Sequence, residues 1–137
     1  MTISDSRFAF VAAVFSFAFV LTASQARAAD SDPAKEIATA GTHAGLAAKA
    51  TDMKMTQMHL HHVVNCLVGP KGKGFDATPG NPCNGQGNGA IPDTRDPKQK
   101  KSLQQALAKA NAGLKAKDMT AAQKSATDAQ NLLTPKT

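Results

Sequence analysis

The sequence predicts an all-α protein: a small four-helix bundle of two helical hairpins, with a long Gly/Pro-rich loop between them pinned by one disulfide. Three observations carry this expectation. Two Ala-rich segments, about residues 33–68 and 98–133, repeat apolar residues at steps of three and four, the period of an amphipathic helix. The segment between them, 69–97, is dense in Gly, Pro and Asn, and neither a helix nor a central strand is expected there. The chain has two cysteines, Cys66 near the end of the first helical segment and Cys83 inside the loop.

From the N-terminus, residues 1–28 read as a signal peptide. Arg7 precedes an apolar run, Phe8–Leu21, that is shorter than the roughly 20 residues needed to span a bilayer. Ala26-Arg27-Ala28 then supplies the small-x-small pattern of a cleavage site. Cleavage after Ala28 leaves residues 29–137 as a single helical domain with no transmembrane segment, periplasmic or secreted. Five of the six Phe (Phe8, Phe10, Phe15, Phe17, Phe19) stand in this leader.

In the first hairpin, Ile37, Ala40, Ala44 and Ala47 form one stripe. After Asp52, a residue type that caps helix starts, Met53, Gln57, Leu60, Val64 and Leu67 form the second. The other hairpin repeats the arrangement with Leu103, Leu107, Ala110 and Leu114, then, after Asp118, with Met119, Ala122, Ala126, Ala129 and Leu133. The apexes align, AGLAAKATDM (44–53) with AGLKAKDM (112–119), as a faint internal repeat. Seams built mostly of Ala let helices approach closely but bury little apolar area, and so lean a domain generally needs a staple. A Cys66–Cys83 disulfide, formed in an oxidising compartment, supplies one and tethers the loop, at about 3 kcal/mol of stabilisation from chain entropy.

Composition excludes several functions. The net charge of +6 is carried by lysines spread along the chain, with Lys98, Lys100 and Lys101 the main cluster, a solvated surface rather than a nucleic-acid footprint. Phe75 is the sole aromatic after the leader, so no platform exists for base stacking and no nucleic-acid partner is expected. No C-x-x-C-H motif occurs, which excludes covalently attached haem; non-covalent haem between His and Met is a lesser reading. Glu36 is the single Glu and no carboxylate pair has a spacing suited to acid/base work, so no enzyme is expected.

The richest stretch is Met53–Cys66, which holds Met53, Met55, Met58, His59, His61, His62, Asn65 and Cys66. At 100° per residue, Met55, His59, His62 and Cys66 fall on one narrow stripe at the flank of the apolar face, where a loop tied at Cys66 would pass over it. His61 points away and is expected in solvent. If the hairpin turns near residue 51, positions summing to 102 face each other, which sets His43 opposite His59. His43, His59, His62 and Met55 are therefore the candidate metal ligands, a set that suits copper, with zinc or nickel competing for the imidazoles. Met58 with His62, and His61 with Asn65, are i,i+4 pairs able to chelate weakly. The plain alternative is that these residues are solvated or fill gaps in an Ala-rich core.

The combination HLHHVVNCLVGP followed by GNPCNGQGNGAIPD resembles a group of small, uncharacterised exported helical proteins of proteobacteria, over about residues 40–93. The resemblance implies that the H-x-H-H-x-x-N-C stretch, the second Cys and the Gly-rich N-P-C loop belong together, and it attaches no activity. Two functional readings follow. One is a periplasmic copper-binding protein whose partner is the metal ion. The other is a non-catalytic structural or interaction protein whose loop and basic surface contact an unknown envelope protein.

Overall fold

Aspartate precedes proline where each hairpin begins, at Asp32-Pro33 and Asp96-Pro97, and both pairs start a helix. Proline at the first helical position has no N–H to leave unpaired and a backbone angle already suited to the helix. The aspartate side chain before it accepts from the backbone N–H of Lys35 (2.9 Å) or Lys98 (2.8 Å). A computed structural model describes residues 31–134 of the chain, so the expected leader, residues 1–28, lies outside the described residues. Within them are α1 (Pro33–Lys49), α2 (Met53–Val68), α3 (Ala90–Asp93), α4 (Pro97–Lys115) and α5 (Met119–Leu133), with no strand. None of these helices is long and apolar enough to cross a membrane.

The aligned apexes adopt the same turn. Ala50 (φ −61°, ψ 148°) and Ala116 (φ −62°, ψ 143°) leave their helices in nearly identical conformations. Asp52 and Asp118 then cap the following helices by accepting from Met55 N–H and Ala121 N–H, each at 2.8 Å. Gln123 on α5 donates to the carbonyl of Ala50 (2.8 Å), tying the second hairpin to the apex of the first.

Helix α1 packs on α2 and α5, and α4 packs on α5 and α2, so the four long helices enclose one continuous core. Its centre is Leu60, Val63, Val64, Leu67 and Leu103, with Ala40, Ala44, Ala47, Ala106, Ala110, Ala122, Ala126 and Ala129 along the seams. The outer members of the predicted stripes, Met53, Gln57, Leu107, Leu114 and Met119, are half-buried at the margins.

The connection 69–97 departs from expectation in one respect: Ala90–Asp93 forms a one-turn helix, α3. Pro92 lies within its first turn, where a missing N–H costs nothing. The Asp93 and Thr94 N–H groups close the turn onto the Gly89 and Ala90 carbonyls. The rest of the segment is a chain of short turns. Its first residue, Gly69, meets Gly89 just before α3, both at positive φ (69° and 114°) and so close that a Cβ on either would strike the other's backbone. Cys66 and Cys83 form the disulfide, and both are buried.

Candidate metal centre

The α1–α2 hairpin turns through Ala50–Asp52, which brings the flank of α1 at His43 against the flank of α2 at His59. Their Nδ1 atoms lie 3.1 Å apart, and the Nδ1 of His62, one turn further along α2, is 3.2 Å from that of His43. Ring centroids are separated by 5.3, 4.6 and 5.7 Å, and all three imidazoles are half-buried. One nitrogen from each ring lies within 4.8 Å of the other two, making these residues a group able to hold a metal ion.

Hydrogen-bond chemistry makes this convergence unusual. The Nε2 of His62 is 2.7 Å from the carbonyl oxygen of Pro79, which can only accept, so Nε2 carries the hydrogen. With its hydrogen on Nε2, the ring has its Nδ1 lone pair turned toward His43. His43 Nδ1 sits between two other Nδ1 atoms, and a single N–H there can satisfy only one of them. A cation at the centre would accept lone pairs from all three. With metal–nitrogen distances of about 2.0–2.1 Å, neighbouring ligands of a tetrahedral ion are about 3.3 Å apart, close to the two spacings seen.

Electrostatics favours the unprotonated state. Burial, followed by the nearby charge of His62 and His59, pulls the pKa of His43 down to about 4. Burial and then His62 lower that of His59. At neutral pH these two rings are uncharged, so no imidazolium proton opposes the metal, the state a metal requires.

The other predicted site residues occupy neighbouring positions on α2. Met55 is 39% exposed in the first turn of α2, a full turn before His59. His61, expected in solvent, is instead half-buried, with Nδ1 3.8 Å from an Asp76 carboxylate oxygen. Asn65 is fully buried, and its amide is turned to the loop. Its amide donates to the carbonyls of Asp76 (2.6 Å) and Gly80 (2.8 Å) and accepts from Asp76 N–H (3.0 Å). This side chain clamps the loop against α2 beside the disulfide.

Glu36 was not among the predicted site residues. It is 1% exposed and accepts from the Gly89 N–H at 2.8 Å, joining α1 to the far end of the loop. Desolvation raises its pKa, against the Gly89 hydrogen bond, with Asp93 and Asp32 adding to the rise. The signal was present in the spacing, since Glu36 lies four residues before Ala40 and eight before Ala44, on the buried stripe. Comparison of the chain with protein-family models, curated proteins and solved structures finds no match.

Proposed function

We propose that this protein binds one first-row transition-metal ion through His43, His59 and His62, with copper the preferred ion and zinc its competitor. One observation carries the reading: three Nδ1 atoms converge while the opposite nitrogen of His62 is committed to the Pro79 carbonyl. An imidazole whose second nitrogen is bonded to a backbone carbonyl is the usual form of a metal-ligating histidine. Imidazole sites follow the affinity order that sets Cu(II) above Zn(II), which favours copper. Met55 offers a soft thioether one turn away that would join a Cu(I) ion.

Haem is the poorer fit, because the rings crowd one another and a porphyrin would have to part them. In this reading the four long helices form a four-helix bundle that holds the tripod, and the role is binding rather than catalysis. A buried disulfide suits an oxidising compartment, in keeping with a periplasmic or secreted protein and with the resemblance to exported proteobacterial proteins.

The test is a competition titration with Cu(I), Cu(II) and Zn(II) against a chromophoric chelator, comparing residues 29–137 with the His59→Ala/His62→Ala variant. One equivalent should bind with sub-micromolar affinity, and the variant should lose more than about 100-fold. Micromolar or weaker binding that the substitutions leave unchanged would refute the metal reading.

A further inference from the structure

We infer that Asn65 and the Cys66–Cys83 disulfide are positioning groups for His62, so that thiol oxidation converts the three-imidazole cluster into its metal-receiving form. The inference rests on the metal reading and adds the control of that site. His62, Asn65 and Cys66 occupy little more than one turn of α2, and all three grip the same loop. His62 Nε2–H donates to Pro79 O, Asn65 bonds Asp76 and Gly80, and Cys66 is joined to Cys83. The carbonyl that holds His62 thus lies between anchors at Gly80 and Cys83 on one side and Asp76 on the other.

Residues 76–83 have no helix or strand of their own to keep that carbonyl in place. Their internal support is one backbone turn, from Gly80 N–H to the Ala77 carbonyl at 3.0 Å with Gly80 at φ 96°, and two short side-chain turns, Thr78 N–H to Asp76 Oδ1 and Cys83 N–H to Asn81 Oδ1. Without the cross-link, the loop regains the chain entropy that closure removed. The Pro79 carbonyl then leaves His62, and the ring loses the bond that sets its orientation and its Nδ1 lone pair. Loss of such a partner typically costs about 10–100-fold in metal affinity.

The redox step is thiol–disulfide exchange with a disulfide donor. One cysteine thiolate attacks the donor to form a mixed disulfide, and the other displaces it. The protein disulfide forms as the donor departs as two thiols, carrying the two electrons and two protons. Once formed, the bond is shielded, since Cys66 is 0% and Cys83 3% exposed.

The experiment compares three metal-free proteins spanning residues 29–137: the oxidised native chain, Cys66→Ser/Cys83→Ser, and Gly80→Ala. The last keeps both cysteines but strains the left-handed turn beside Pro79; its Cβ would lie 3.9 Å from His62 Nε2, an ordinary contact. The readouts are helicity, the exchange-protected Nε2–H resonance of His62, and Zn(II) affinity. The native chain should show the protected proton. Both variants, with native helicity, should lose it and bind Zn(II) about 10–100-fold more weakly.

A helical double variant that keeps both the proton and native affinity overturns the inference. If that variant does not fold, the same result in Gly80→Ala overturns it. Absence of the proton in the oxidised native chain overturns it whatever the metal does. If the proton follows the clasp but no form binds Zn(II) or copper, the positioning role stands and the metal reading alone fails.

Discussion

Glu36 shows what burial does to one side chain. Its carboxyl has a single partner, the Gly89 N–H on Oε1, and Oε2 is buried without one. Folding therefore disfavours ionisation. Between the ordinary pKa of 4.5 and the raised folded value, the native chain holds a proton that the unfolded chain has released. Stability falls as pH rises through that window. Glu36→Gln keeps an amide oxygen for Gly89 and removes the charge. It should stabilise the protein at pH 7 and flatten this part of the pH dependence, read by urea denaturation from pH 4 to 8. At the same scale, His43 was legible as the partner of His59 because an antiparallel hairpin fixes residue pairing by its turn. Asn65 was not, because its three partners are loop backbone groups that carry no side-chain signature.

At the scale of elements, the helices were legible from Asp52 and Asp118 as caps and from apolar steps of three and four. α3 was not, since four residues containing a proline lie below any periodic signal. How closely the helices approach is read in two glycines. A Cβ on Gly41 would meet only the Leu133 Cβ at 3.6 Å, ordinary contact, so Gly41→Ala should stabilise α1 by about 0.5–1 kcal/mol. A Cβ on Gly113 would meet the buried Leu60 Cδ1 at 2.8 Å, Ser125 Cβ at 3.2 Å and the Ala122 carbonyl at 3.3 Å. Overpacking there should outweigh the gain in helix propensity, leaving Gly113→Ala destabilised by about 1–2 kcal/mol. Urea midpoints of the two variants, moving in opposite directions, check both.

Across the whole molecule, the tripod links metal, protons and folding. The lowered pKa of His43, about 4 against 6.5, means the unfolded chain takes a proton that the folded one refuses. Metal-free stability should therefore fall as pH drops from 6.5 toward 4, by about 1 kcal/mol after allowance for solvent reaching the half-buried ring. The loss should be smaller in His43→Ala, where only the part carried by His59 remains. A metal held by the folded state alone acts in the opposite sense. Free ion at about 100 times its Kd adds about 2.7 kcal/mol, which should raise the Tm by about 10 °C or more in calorimetry at pH 7. His59→Ala/His62→Ala should show no such rise.

The sequence by itself determined the helical character, the duplicated apex turn, the buried seams and the pairing of Cys66 with Cys83. Each depends on local periodicity, on capping chemistry, or on there being two cysteines to join. It also brought His43, His59 and His62 to one side of the hairpin, because helix period and turn position fix which residues face each other. Only the tertiary structure decided that the three Nδ1 atoms meet, and that Pro79, Gly80 and Asp76 close over His62 and Asn65. Those outcomes depend on ring rotation and on the path of an irregular loop. Neither has a period to read, because contacts between residues distant in sequence set them both.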